Sequence, residues 1–156
     1  MQEGDMIANL THLPAVSLPQ GIQLKRVFPA DKARVLQFIR ENFGDGWANE
    51  AEHAIMQEPV KCFIATENGK VLGFSCFDAS ARAFFGPIGV LESERGKNIG
   101  TALLIRTLES MREYGYIYAI IGWVGDAADF YRKVLGAEFI PGGEPQNSVY
   151  ANMIRM

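Results

Sequence analysis

The run Val90-Leu91-Glu92-Ser93-Glu94-Arg95-Gly96-Lys97-Asn98-Ile99-Gly100-Thr101-Ala102-Leu103-Leu104 constrains the fold most, because it carries an apolar strand through a glycine-bearing turn straight into an amphipathic helix. A helix start leaves its first N–H groups without intrahelical partners and carries partial positive charge. A strand-turn-helix junction of small residues therefore aims backbone amides at phosphate oxygens. Two commoner phosphate patterns do not fit. A Walker loop needs glycine five residues before Gly96 and Ser or Thr after Lys97, where Leu91 and Asn98 stand. A dinucleotide fingerprint needs three glycines at fixed offsets, which are absent. Taken alone, the junction is equally that of an ordinary helix start after a strand.

The elements around it alternate in a way that fixes a class. Residues 1–21, with Pro14, Pro19 and Gly21, lack sustained periodicity and read as a leader that adds at most an edge strand near Met6 to Leu10. Ile22 to Val27 alternates as a strand, and Pro29-Ala30-Asp31 opens a helix with Val35, Leu36, Ile39 and Phe43 on one face, ended by Gly44 and Gly46. Trp47 to Glu58 reads as a second helix stopped by Pro59. Strands at Lys61 to Glu67, Lys70 to Asp78 and Ala83 to Leu91 form an antiparallel meander around an Asn68-Gly69 turn. The helix Ile99 to Tyr114 then buries Leu103, Leu104, Leu108 and Met111, and Tyr118 onward is a strand apolar enough to be covered on both faces. A helix at Ala127 to Leu135 and strands at Ala137 to Ile140 and Val149 to Arg155 complete the chain. This is an α/β (α+β) pattern with a mixed, mostly antiparallel sheet of six or seven strands, one parallel pair and about four helices, in one domain over residues 22–156.

Two segments carry a family resemblance. Arg95 and Gly100 match the ends of the pattern (Gln or Arg)-x-x-Gly-x-(Gly or Ala), with Asn98 in place of the middle glycine; Asn tolerates left-handed backbone better than most residues. Downstream, Ala127-Ala128-Asp129-Phe130-Tyr131-Arg132-Lys133 and Gly136-Ala137 match Ala-x-x-Phe-Tyr-x-Lys followed by Gly-(Phe or Ala), with Val124 where Asn is common. With these motifs in this order, residues 22 to 156 resemble the GNAT superfamily of acetyl-CoA-dependent N-acetyltransferases. The resemblance implies acetyl transfer to a primary amine by direct attack on the thioester, with acetyl-CoA (coenzyme A) as cofactor. It implies that the strands ending at Leu91 and beginning at Tyr118 splay to admit pantetheine. The groups expected to hold the cofactor are Ile88, Gly89, Val90, Arg95, Gly96, Lys97, Asn98, Ile99, Gly100 and Thr101. Tyr131 is the expected acid for the leaving thiol, and the Val90 N–H the expected oxyanion donor.

A carboxylate common on the Ala83-Phe84-Phe85-Gly86 strand is absent here, so bases acting through water are sought at Asp78, Glu50, Glu52 and His53, each also readable as a surface residue. One of Phe84 and Phe85 should line the cleft and the other the core. Pro87 inside its strand suggests a bulge or broken pairing beside the site. The competing reading is a non-catalytic acyl-CoA-binding or sensing module of the same fold.

Bulk properties narrow the partners. A net charge of −3 with both signs dispersed lacks the basic footprint of a nucleic-acid binder. No apolar run reaches the roughly 20 residues of a membrane helix, and no basic-then-apolar leader opens the chain, so a cytoplasmic enzyme, alone or as a homodimer, is the expectation. No cysteine or histidine spacing suggests a metal site. If Glu67 pairs with Lys70, the register places Cys62 opposite Ser75 and sends Cys76 to the other sheet face, so no disulfide is expected.

Overall fold

The computed structural model describes residues 2–154. Its strands are β1 (Gly4–Asn9), β2 (Ile22–Arg26), β3 (Cys62–Glu67), β4 (Lys70–Phe77), β5 (Phe84–Val90), β6 (Tyr118–Val124) and β7 (Glu138–Phe139). Its helices are α1 (Lys32–Phe43), α2 (Asp45–Ile55), α3 (Ile99–Glu113) and α4 (Ala128–Leu135). The strands form one sheet in the order β2-β3-β4-β5-β6-β1-β7, antiparallel except for β5 and β6.

Alternation along the strands divides the core into two layers. Cys62, Ile64, Phe74 and Cys76 face α1 and α2, where Val35, Leu36, Ile39, Ala51 and Ile55 are buried. Phe63, Ala65, Leu72 and Phe77 face α3, whose Leu103, Leu104, Leu108 and Met111 are fully buried. The helix stripe read from the sequence is thus the packed one. Tyr114 caps α3, and Gly115 turns the chain out at φ 101.

Several expectations change. The strand in the leader is not at an edge: β1 lies between β6 and β7 and pairs antiparallel with each. Gly46 lies inside α2, which starts two residues before Trp47 and stops at Ile55; Gly44 alone separates α1 from α2, at φ 104. The last expected strand is instead a 3-10 turn at Val149–Asn152, preceded by another at Pro145–Asn147. Residue 155 of that expected strand lies outside the described residues. The sheet ends at β7, and the C-terminal segment folds back over β6.

The hairpin register also shifts. Glu67 does pair with Lys70, but between Ala65 and Thr66 the partner changes from Gly73 to Val71, one extra residue on β4. A one-residue bulge reverses the facing of everything beyond it. Cys62 therefore sits opposite Cys76 on the same face, and both are free and buried.

Candidate active site

β5 and β6 pair only at Phe84↔Ile120 and Phe85↔Ile121. Beyond Phe85 they part, because β6 continues along β1 while β5 continues along β4 with Ser75↔Ile88, Phe74↔Gly89 and Gly73↔Val90. Leu91 donates to Leu72 O at 2.9 Å. In an antiparallel ladder residues alternate between bonding the partner strand and facing away. Gly89 thus shares the Leu91 side, and the N–H and C=O groups of Ile88 and Val90 face the gap left by β6. The pairing of β4 with β5 is irregular between Ser75 and Phe77, opposite the Gly86-Pro87 step expected to disturb it.

At the open end of the gap stands the start of α3. Asn98, its cap residue, is left-handed at φ 63 and ψ 14, and Gly96 lies at φ 85. The Ala102 N–H donates to Asn98 O at 2.9 Å, whereas the amides from Gly96 to Thr101 have no hydrogen-bond partner among the described residues.

A cavity of about 660 Å³ follows this gap, lined by Ile88 to Val90, Arg95, Gly96 and Asn98 to Thr101, and walled by Phe130 and Tyr131. Every expected cofactor residue lies on it except Lys97, whose ammonium turns to Glu94 at 2.8 Å. The hydrogen bond from Lys97 holds the Glu94 carboxyl below its ordinary range, and the carboxylate raises the Lys97 ammonium in return. Phe43 and Trp47 roof the cavity, stacked with ring centroids 5.6 Å apart. The fit of Phe43 depends on a glycine: a Cβ at position 89 would meet its ring at 2.7 Å.

A second cavity of about 530 Å³ lies on the other side of the splay. Trp47, Ile88, Ala127 and Tyr131 line both, so Tyr131 stands at their junction. Tyr131 is held by α4 against Phe85, with centroids 6.4 Å apart. Burial alone pushes its hydroxyl up to about 12. Phe85 serves core and cleft together, while half-exposed Phe84 packs edge-on against Tyr150 at 6.3 Å.

Of the residues considered as bases, only Glu50 reaches the second cavity, where it accepts a hydrogen bond from Ser80. Asp78 is committed elsewhere: it bonds Lys61 Nζ at 2.9 Å, accepts the Tyr116 hydroxyl at 3.0 Å and takes the Ala83 N–H at 2.8 Å. Glu52 pairs with Lys32 at 3.4 Å, and His53 Nδ1 lies 2.8 Å from Ala79 O.

Tyr150 and Met153 bring the C-terminal segment to the second cavity. Tyr150 packs against Trp123 with the rings tilted at 53° and centroids 5.4 Å apart, and it fills a notch that exists because residue 122 is glycine; a Cβ there would collide with the Tyr150 hydroxyl. Burial pushes Tyr150 up to about 12, with the Ser80 hydrogen bond opposing and the Glu50 and Asp5 charges adding. Asp5 of β1 ties the segment down, accepting the Ser148 hydroxyl at 2.5 Å and the Trp123 N–H at 2.9 Å. The Asp5 tie joins residues more than 100 positions apart, and no local sequence signal marks it or the aromatic notch. Trp47 and Glu50, spaced i and i+3 on α2, were the one legible hint of a shared helix face.

The family model described as the acetyltransferase (GNAT) family matches residues 31–137. Among solved structures, the chain resembles a GCN5-related N-acetyltransferase from Sphaerobacter thermophilus at 20% identity and TM-score 0.68, covering 87% of this chain and 47% of that one. It is also similar to the GCN5-related glucosamine N-acetyltransferase region of a fungal multi-domain GH3 β-N-acetylglucosaminidase, at 18% identity and TM-score 0.67, over 87% of this chain and 19% of that one. A GNAT family acetyltransferase from Brucella melitensis, solved with acetyl-CoA, aligns at 21% identity and TM-score 0.54 over 72% of this chain and 80% of that one. The chain thus spans less than half the length of the first two. No curated protein matches it. Among the described residues no helix is long and apolar enough to cross a membrane. The family match covers the splayed strands and the start of α3 together with the Tyr131 helix, and on that ground the chain belongs to the acetyltransferase (GNAT) family.

Proposed function

We propose that the protein is an acetyl-CoA-dependent N-acetyltransferase acting on a primary amine. The observation that carries this reading is Tyr131 at the junction of two cavities, one ending on a cradle of free amides and the other open to a second reactant. Six successive N–H groups at a helix start suit a pyrophosphate, and the unpaired edge of β5 at Ile88 and Val90 suits the amides of a pantetheine arm. Gly89 lets the Phe43 ring close over the slot, and Gly96 supplies the left-handed backbone of the turn at φ 85. Arg95 adds positive charge, while the Lys97 ammonium is directed to Glu94.

When bound, acetyl-CoA supplies an activated acetyl group on a thiol leaving group. The chain's own residues do the rest. The Val90 N–H, directed into the gap, donates to the carbonyl oxygen as charge builds there. Tyr131 is protonated at neutral pH, as at its ordinary value of 10.0, and burial, which raises it to about 12, keeps it so; it therefore has a proton for departing sulfur. The second cavity receives the amine, which loses its ammonium proton to solvent before attack; Tyr131 gives its own proton to the sulfur as the C–S bond breaks, and the proton shed by nitrogen as the N–C bond forms restores the Tyr131 hydroxyl. Cytoplasmic action on a small molecule or peptide belongs to this proposal.

The test is thermal denaturation with acetyl-CoA, CoA, ATP and NAD, followed by a CoA-release assay across a panel of amines. Acetyl-CoA and CoA should stabilise selectively; a ligand at 100 times its dissociation constant adds about 2.7 kcal/mol. Equal stabilisation by ATP refutes the CoA assignment. Stabilisation by acetyl-CoA without CoA release for any amine would instead favour a non-catalytic acyl-CoA-binding module.

A further inference from the structure

The lining of the second cavity is chemically one-sided. Trp47, Phe85, Trp123 and Tyr150 give it aromatic walls, and Glu50 is its one charged side chain among the described residues. No Lys, Arg or His of those residues lines it. Ser80 donates to one Glu50 oxygen and fixes the carboxylate at the wall. Glu50 lies one helical turn from Trp47, and Trp47 reaches the junction with Tyr131. Side chains at i and i+3 on a helix are neighbours, with Cβ atoms about 5–6 Å apart. A cation held at Glu50 is therefore within one turn of the junction.

Building on the transferase reading above, we infer that the acceptor is a primary amine on a compact aromatic or apolar body without a carboxylate or phosphate, recruited as its ammonium by Glu50. The physical reason is complementarity of charge and of polarity. An ammonium ion gains a charge-assisted bond to Glu50 and the faces of Trp and Tyr rings. A carboxylate beside the same amine would be buried near Glu50 with no cation to pair it, which is strongly unfavourable. A sugar amine would bring several hydroxyls to a lining whose polar side-chain groups among the described residues are only Glu50, Ser80 and the edges of its Tyr and Trp rings, too few to replace the water each hydroxyl gives up. Amino acids and amino sugars are thereby disfavoured as acceptors.

CoA release by the intact protein should be measured with 2-phenylethylamine, L-phenylalaninamide, L-phenylalanine and glucosamine. The first and third differ only by a carboxylate, and the second replaces that charge by a neutral amide. The inference expects 2-phenylethylamine to exceed L-phenylalanine in kcat/KM by about 100-fold or more, with phenylalaninamide much nearer the amine. Glucosamine should fall at least about tenfold below 2-phenylethylamine. Glu50→Gln keeps an acceptor for Ser80 and removes the charge. It should raise KM for 2-phenylethylamine by about tenfold or more, with kcat changed less and KM for acetyl-CoA unmoved. L-Phenylalanine or glucosamine used as well as 2-phenylethylamine, or an unmoved KM in Glu50→Gln, overturns the inference while the transferase reading stands. Acetyl-CoA binding without turnover of any amine overturns the transferase reading, and this inference with it.

Discussion

Tyr131→Phe separates chemistry from packing in one substitution, because the ring that packs on Phe85 and Phe130 is kept and only the hydroxyl is lost. Burial raises that hydroxyl from 10.0 to about 12. At pH 7 it is ionised in only about one molecule in 10⁵, so a proton donor is always in place. Losing it should lower turnover by about 10²-fold or more, with acetyl-CoA affinity nearly unchanged. The same shift makes a second, independent prediction. The folded-state value lies above the unfolded one, so Tyr131 contributes stability that is complete below pH 10 and is lost as pH rises through 12. Two pH units at 1.36 kcal/mol each make that contribution about 2.7 kcal/mol, of which about 2 kcal/mol is gone by pH 11.5. Denaturant unfolding at pH 7, 9 and 11.5 should therefore show wild type losing about 2 kcal/mol more than Tyr131→Phe at the highest pH. Near-normal turnover in the variant refutes the acid role. Equal alkaline losses in the two proteins refute the buried, protonated hydroxyl on which the role depends.

Position 98 tests the left-handed turn: Asn98→Ala should cost about 1 kcal/mol while Asn98→Gly stays within about 0.5 kcal/mol of wild type, measured by denaturant unfolding. Equal effects of Ala and Gly would show that φ 63 carries no penalty. Gly122→Ala should cost about 1–3 kcal/mol by driving Tyr150 from its notch. In a Tyr150→Ala background most of that cost should vanish, and a fully additive pair would rule out the notch. Cys62 and Cys76 should resist iodoacetamide in the folded protein and react on unfolding, since both are fully buried and burial pushes the Cys76 thiol up. Rapid native-state labelling of either would contradict this packing.

The helix stripe of α3 and the turn at Asn68-Gly69 were legible because each depends on a short-range period or a local backbone preference. Arg95 to Thr101 was legible for the same reason: a helix start and its free amides are made by consecutive residues. The cysteine facing was missed: Gly73 beside the bulge on β4 marks where one could form but not that it does, and one inserted position reverses every side chain beyond it. The C-terminal residues Val149 to Asn152 have strand-like composition, yet β7 completes the sheet before them and they are drawn into a 3-10 turn over β6. Nor did the composition of the leader show that β1 fills an interior place in the sheet.

By itself the sequence determined most of the elements, the resemblance and the turn into α3, all of which follow from neighbours along the chain. Only the tertiary structure decided the other cavity. There Glu50 from α2, Ser80 from the loop after β4, Trp123 from β6 and Tyr150 from the C-terminal turn meet around Tyr131. They meet because Gly122 leaves a notch for Tyr150 and Asp5 holds the C-terminal segment through Ser148. Contacts across such separations are set by how the packed layers and the splay of β5 from β6 fit together, and no periodicity in the chain encodes them.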